Sequence, residues 1–219
     1  MFRFVLALIL LPAVLHAGAW PRGEGSGFIS VSQGFTFADD DRSRIGPMAA
    51  YAEFGLTPRL TFGTKLDHFD RAGEAFVFLR RHLSRPDAAW QLALQLDLGQ
   101  TETDIDMAVS AFGVGGHLGR GLTTPWGPGW IEAEIRRNSR IDGGFARTNL
   151  DLTVGITPRE HTHVIVQGRL YSDGTDESFE LAPSYVRPFI GPSQVRIGVA
   201  GQTSGDAPLR LELGSWLAF

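Results

Sequence analysis

The chain closes on Phe219 at the end of a run in which Leu209, Leu211 and Leu213 alternate with Arg210 and Glu212. Successive side chains of a β-strand point to opposite faces, so this segment is apolar on one side and ionic on the other. The same alternation recurs along the chain with turn signals between, and no stretch beyond the first nineteen residues keeps a helical period. The expected fold class is all-β. The spacing predicts twelve strands, at residues 27–38, 48–56, 59–69, 73–83, 89–100, 107–118, 129–138, 145–156, 162–172, 178–189, 194–202 and 208–219. The segment 107–118 has the weakest pattern, and losing it together with one other strand would leave ten.

The connections alternate in kind. One set is tight and rich in proline or glycine: Thr57-Pro58, Ser84-Arg85-Pro86-Asp87, Thr124-Pro125-Trp126-Gly127-Pro128, Thr157-Pro158 and Gly191-Pro192-Ser193. The other is polar and mostly acidic, at residues 39–44, 70–71, 101–106, 139–144, 173–177 and 204–206. An even number of antiparallel strands joined in this way brings both chain ends to the tight-turn side. Two stretches match each other, Phe54-Gly55-Leu56-Thr57-Pro58-Arg59 and Val154-Gly155-Ile156-Thr157-Pro158-Arg159. They read as repeated hairpin chemistry, with proline presetting φ at the turn.

Met1 and Arg3 precede an apolar stretch over residues 4–15 and then the small residues Ala17, Gly18 and Ala19, the layout of a cleavable export signal. Twelve residues are too few to cross a bilayer as a helix, which takes about 20. Residues 1–19 are therefore expected to be signal, with cleavage near 17–19, and residues 20–219 a single domain. A composition of 43% hydrophobic and 20% charged residues does not distinguish a soluble domain from a membrane barrel, because barrel strands alternate lipid-facing and lumen-facing residues and leave no long apolar run. A net charge of -4 excludes a polyanion-binding surface, so no nucleic acid partner is expected. With no cysteine there is no disulfide, thiolate metal site or lipidation site, and no cofactor is implied.

An exported, cysteine-free chain of alternating strands that ends on an aromatic residue resembles the Gram-negative outer-membrane β-barrels. The resemblance implies a transmembrane antiparallel barrel in the bacterial outer membrane, with both termini periplasmic. It also implies outer-membrane lipids, lipopolysaccharide and the barrel-insertion machinery as partners, with Phe219 as the insertion signal that machinery reads. The piece Tyr51-Ala52-Glu53-Phe54-Gly55-Leu56-Thr57-Pro58-Arg59-Leu60-Thr61-Phe62-Gly63 is similar to hairpins of the MetA-pathway phenol-degradation family. That likeness implies uptake of aromatic compounds and carries over no functional residue.

Alternation assigns the two faces of each strand. The lipid face is expected to hold Ile29, Val31, Phe35, Phe54, Phe62, Leu66, Trp90, Leu92, Leu94, Leu96, Leu98, Ile131, Ile135, Leu152, Val154, Val164, Val166, Leu181, Tyr185, Ile197 and Val199, continuing to the terminal leucines. Trp90, Tyr185 and Phe219 lie near strand ends, where an aromatic girdle belongs. The lumen face is expected to hold the acids Glu53, Asp67, Asp97, Glu132, Glu134, Asp151, Glu180 and Glu212. It also holds the bases Arg59, Lys65, Arg80, Arg136, Arg147, Arg169, Arg196 and Arg210. Gln91, Gln95, Asn149, Gln167, Trp130 and Tyr171 share that interior. Equal numbers of acids and bases in a narrow bore are expected to pair, since isolated buried ions are too costly to leave alone.

A channel selective for one ion sign would carry a one-sided charge excess. The balanced lining favours passive transport of a small solute, such as a sugar, nucleoside or phenol, through a narrow channel without enzymatic activity. The alternatives are an occluded structural or adhesive barrel and an outer-membrane lipid hydrolase. A hydrolase needs a histidine beside a nucleophile or metal near the outer rim, where strand direction brings only His68, flanked by Asp67 and Asp70. His161 and His163 are two apart and would share a strand face suited to a cation. They read more readily as a solvated pair at the rim, and no metal site is assigned. Glu132 and Glu134 also share a face and are expected to pair with Arg136. The acidic runs Asp39-Asp40-Asp41 and 173–177 offer carboxylate oxygens to divalent cations that bridge lipopolysaccharide phosphates, although solvated loop tips show the same composition. Gly113-Val114-Gly115-Gly116 is followed by no helix and marks a bulge or a close strand approach.

Overall fold

The computed structural model describes residues 18–37, 43–69, 72–102, 108–143, 146–203 and 209–219. Twelve strands follow one another: β1 (Gly27–Phe37), β2 (Ser43–Thr57), β3 (Leu60–Phe69), β4 (Ala72–His82), β5 (Trp90–Glu102) and β6 (Val109–Thr124), then β7 (Gly127–Arg140), β8 (Ala146–Arg159), β9 (Thr162–Ser172), β10 (Glu177–Pro188), β11 (Ser193–Gln202) and β12 (Arg210–Ala218). Each pairs antiparallel with its neighbours in sequence, and β12 returns to β1 to close the barrel. Residues 1–17 of the expected export signal lie outside the described residues, as do all or part of the acidic connections expected at 39–44, 70–71, 101–106, 139–144 and 204–206.

Closure runs from Phe28 opposite Ala218 to Thr36 opposite Arg210. Beyond the last of these pairs, the Gly27 N–H donates to the Phe219 carbonyl at 2.7 Å and the Phe219 N–H returns a bond to the Gly27 carbonyl at 3.1 Å. The terminal ring covers Gly27, where a Cβ would come within 2.4 Å of it. The seam therefore leaves no unpaired strand edge at the chain end.

The two faces of the sheet are inverted relative to a soluble protein. On β5, Leu96 and Leu98 point outward and are 63% and 64% exposed, while Gln95 and Asp97 point inward and are 2% and 1% exposed. Val77, Leu79, Phe112, Val114 and Leu118 extend the coat across β4 and β6, so apolar side chains surround the barrel. An uninterrupted apolar exterior of this size is stable against hydrocarbon and not against water. Trp90, Trp126, Tyr185, Phe189 and Phe219 are exposed at the tight-turn rim, and Arg120 stacks over Trp90 at 5.4 Å.

β2 and β6 extend furthest beyond their predicted ends. β2 begins at Ser43 and not at Met48 because a bulge sets Gly46 and Pro47 against the single residue Gly34 between the pairs Phe35–Ile45 and Gln33–Met48. Pro47 lacks an N–H for the ladder, and the Gln33 side-chain amide bridges the irregularity by donating to the Gly46 carbonyl at 2.7 Å. β6 runs on to Thr124 because Gly119 and Gly121 hold its inward positions, leaving no inward side chain to show a period. The glycines over 113–116 lie in unbroken register with β5 and β7, so they form no bulge. They mark the close approach that was the other expectation: a Cβ on Gly113 would fall within 2.1 Å of the Asn138 Oδ1. The expected likeness of the two Thr-Pro hairpins holds only in part: a register shift precedes each turn, at Gly55–Thr57 and at Ile156–Arg159, but the first chain reversal is at Pro58-Arg59, whereas Thr157 and Pro158 lie within β8 and the second reversal is at Glu160-His161.

Inside the tight-turn half, Trp130, Ile165 and Val186 form an apolar cluster with Trp20 and Trp216. The Trp130 indole lies flat over Gly155, where a Cβ would meet Cζ2 at 2.2 Å. Gly155→Leu is expected to destabilise the refolded barrel by about 1–3 kcal/mol through overpacking, read as a lower urea midpoint in detergent micelles. Gly121→Ala, with no heavy atom within 4 Å of the new methyl, is expected to stay within about 0.5 kcal/mol of the parent.

Candidate functional site: the charged bore

Period-two geometry delivers polar side chains from every strand to the bore, and their heights along it separate them into two tiers. The tier nearer the tight-turn rim centres on Glu53 of β2. Its carboxylate takes Arg80 Nη1 at 3.0 Å and the Tyr51 hydroxyl at 2.7 Å, and it also pairs with Arg22. Arg80 is satisfied on its other sides, donating to Gln95 Oε1 at 2.9 Å and to the Tyr51 oxygen at 3.0 Å and lying over the Phe78 ring at 4.9 Å. Gln95 passes the network to Asp97 through a 2.7 Å bond and contacts His117 Nε2 at 3.1 Å. Glu132 and Glu134 face His117 Nδ1 at 3.7 and 3.6 Å.

The tier nearer the loop rim centres on Glu212 of β12. Arg169, Arg196 and Arg210 converge on it at 2.9, 3.0 and 2.9 Å, and Glu180 binds Arg169 and Arg210 at 2.8 Å each. Gln167 accepts from Arg169 at 3.0 Å. Arg147 pairs with Glu74 and lies over the Tyr171 ring at 4.8 Å, and Lys65 pairs with Asp67 at 2.9 Å. These groups surround a cavity of about 660 Å³, which Arg136, Asn149 and Asp151 also line. Arg136 differs from the rest: it is 4% exposed, its Nε has no hydrogen-bond partner, and among the described residues it forms no ion pair.

Every expected lumen residue points into the bore except Arg59, which lies exposed in the turn between β2 and β3. β3 starts one residue later than predicted, so Arg59 is carried out of the strand and off its inward face. Arg22 takes its place as a bore cation, and Glu74 adds an acid that the pattern of β4 could have supplied by its parity with Arg80. The expected ion pair between the Glu132/Glu134 face and Arg136 is not formed among the described residues. Glu132 instead accepts the Ala19 N–H at 2.7 Å. Arg22 and Ala19 precede the first strand, where no periodicity marks them.

The expected histidine groupings are not formed among the described residues. His68 is exposed on the outer face of β3, on the opposite side from Asp67, while Asp70 lies outside the described residues. His161 is in a turn with φ of 55°, off the strand that carries His163, so the two do not share a strand face. His163 is buried beside Trp130 and contacts the Thr157 hydroxyl at 3.0 Å. No cluster able to hold a metal ion occurs among the described residues. In the loop after β9, Asp173 accepts the backbone N–H groups of Thr175 and Asp176 at 2.9 and 2.8 Å. Those bonds, Asp176 first, hold its carboxyl below the usual range. This carboxylate closes its own turn and is not directed at an external cation.

No protein-family model matches the chain, and no curated protein matches it in sequence. Its likenesses are to solved structures. The KdgM porin superposes with a TM-score of 0.63 at 7% identity over 88% of this chain and 99% of its own. The COG4313 outer membrane channel from Pseudomonas putida F1 gives 0.57 at 10% identity over 93% and 99%, and the NanC porin gives 0.56 at 11% over 85% and 98%. Such identities establish the fold. Closed topology, apolar exterior and charged interior together define a twelve-stranded transmembrane β-barrel of the outer-membrane type.

Glu53→Gln removes the charged partner of the buried Arg80 guanidinium and one partner of the half-buried Arg22. It is expected to destabilise the barrel by about 3–5 kcal/mol, measured by urea unfolding of the refolded protein. Glu180→Gln is expected to cost less, because Glu212 still holds both Arg169 and Arg210.

Proposed function

We propose that this protein is an outer-membrane channel for passive diffusion of small solutes with little net charge. The observation that carries the reading is the cavity of about 660 Å³ in the loop-side half of the bore, lined by six bases and five acids that mostly pair with one another. Paired charges present polarity and hydrogen-bonding capacity without a strong field, which suits a hydroxylated neutral solute better than an ion of either sign. Tyr171, with Arg147 stacked on it, adds a flat surface for a ring. Support for a phenolic or sugar-like solute comes from two further sources. The hairpin over residues 51–63 is similar to those of the MetA-pathway phenol-degradation family, and the KdgM porin, which shares the fold, has been solved in complex with disordered oligogalacturonate.

The occluded structural or adhesive barrel remains the second reading, favoured by one observation: residues 18–26 pack into the tight-turn half of the bore. Single-channel conductance of the refolded protein in a planar bilayer separates the two. The channel reading expects discrete steps with a cation-to-anion permeability ratio near unity. Arg136→Glu is expected to shift that ratio toward cations, because the exchange is made at the one cavity cation without an ion pair among the described residues. Silence from protein shown to be folded by heat modifiability rejects the channel in favour of the occluded barrel.

This reading includes export by a signal removed near residues 17–19, membrane lipids and lipopolysaccharide around the coat, and recognition of Phe219 by the barrel-insertion machinery. Phe219 suits that role because it is 63% exposed on the outer face at the seam. Deleting Phe219 is expected to reduce the assembled fraction in cells while leaving removal of the export signal, read from the mature mass, unchanged. Unchanged assembly would remove Phe219 from that role.

A further inference from the structure

The register of β7, β8 and β9 sorts the inward side chains of one wall of the bore into rows. In one row Glu134 lies directly opposite Asp151, and Asp151 opposite Arg169. In the next, two residues nearer the loop rim on β7, Arg136 lies opposite Asn149, and Asn149 opposite Tyr171. Inward positions that follow one another along a strand are about 6.6 Å apart, twice the rise per residue. Both rows reach the bore. Arg136, Asn149 and Asp151 line the cavity of about 660 Å³, and the Glu134 side chain is 27% exposed.

The two rows have opposite needs. Like charges directly opposite one another on neighbouring strands repel, and the wall does little to relieve Glu134 and Asp151. Arg169 stands where it could pair with Asp151, yet its guanidinium is turned to Glu180 at 2.8 Å, Glu212 at 2.9 Å and Gln167 at 3.0 Å. Asp151 forms no ion pair among the described residues. Among the same residues Glu134 faces only His117, at 3.6 Å, a ring that also faces Glu132 at 3.7 Å and carries charge only when protonated. In the second row Arg136 is buried with its Nε unpartnered, and Asn149 adds an amide beside it. Arg136 and Asp151 sit diagonally across the two strands and do not pair with each other. On the neighbouring wall, by contrast, Arg196 and Arg210 are both taken up by Glu212.

A buried ion is costly until an opposite charge reaches it. An anion would relieve Arg136 and leave the acid row as it is, a cation would do the reverse, and a polyol would relieve neither. A molecule that carries both charges relieves both rows and adds no net charge to the bore. We propose that this patch binds a zwitterion, a small α-amino acid, with its ammonium between Glu134 and Asp151 and its carboxylate on Arg136 and Asn149. Charges one carbon apart, with a charge-assisted hydrogen bond of about 2.8 Å at each end, span the two rows. The site rests on the channel reading, and it narrows solutes of little net charge to those whose two charges cancel.

Two measurements on the refolded protein test the site. In liposome swelling, L-alanine is expected to enter several-fold faster than erythritol, a polyol of similar size. That ratio is expected to fall to about one in Asp151→Asn and in Arg136→Gln, each checked for folding by heat modifiability. In micelles, L-alanine is expected to raise the unfolding temperature of the parent but of neither variant, while erythritol raises it in none. Equal entry of the two solutes through the parent overturns the zwitterion site and leaves the channel standing. A preference for L-alanine that survives both substitutions overturns the assignment to these residues. Entry of neither solute through folded protein rejects the channel reading. In that case a shift of unfolding temperature by L-alanine, lost in both variants, upholds the site in a closed barrel, and its absence overturns the site as well.

Discussion

In hydrocarbon no backbone N–H or C=O can turn to water, so a sheet that crosses a bilayer must pair every edge. The β1–β12 seam meets this requirement here, and the rest of the structure depends on it. Its pairs run without a break from Phe28–Ala218 to Thr36–Arg210, and reciprocal bonds between Gly27 and Phe219 finish the ladder. Closure separates an outer face, where leucine and valine are exposed at no cost to lipid, from an inner face that must dispose of everything polar. It also gives the terminal aromatic residue its place, lying over a glycine on the outer side of the last turn of the wall.

The inner face handles its charge by mutual neutralisation. Across the bore as a whole, the bases Arg22, Lys65, Arg80, Arg136, Arg147, Arg169, Arg196 and Arg210 oppose the acids Glu53, Asp67, Glu74, Asp97, Glu132, Glu134, Asp151, Glu180 and Glu212, a difference of one. A carboxylate with three guanidinium partners, such as Glu212, is a branching point and not an isolated pair. Networks of this kind rigidify the wall from within, and removal of a branching point costs more than removal of a tip. The aromatic side chains do the complementary work: Trp130 over Gly155, Phe78 against Gly63 and Trp20 against Gly119 each fill space that a glycine leaves open.

The two tiers differ in what remains free. Near the tight-turn rim the chain's own residues 18–26 use the bore's polar groups, so Glu53, Glu132 and His82 already have partners. Nearer the loop rim a cavity remains, and Arg136 stands in it without an ion pair among the described residues. The nearly neutral chamber thus lies on the loop side of the bore and the chain's own segment on the tight-turn side.

Much of this was legible in the sequence because a barrel strand is a local object. A period of two, interrupted by Thr-Pro and Gly-Pro turns, gave the all-β class, the even count and the face of nearly every residue, and β9 coincides with its predicted span at Thr162–Ser172. Where a strand carried glycine on its inward face, as β6 does at Gly119 and Gly121, the period vanished and the boundary was misplaced by several residues. The sequence by itself determined which side chains face lipid and which face the lumen, since that depends only on neighbours two residues away. Which charges pair, that Arg22 replaces Arg59 in the bore, and that residues 18–26 lie inside it were decided by the tertiary structure. Those contacts join strands on opposite sides of a closed ring, and no local pattern records the register and curvature that bring them together.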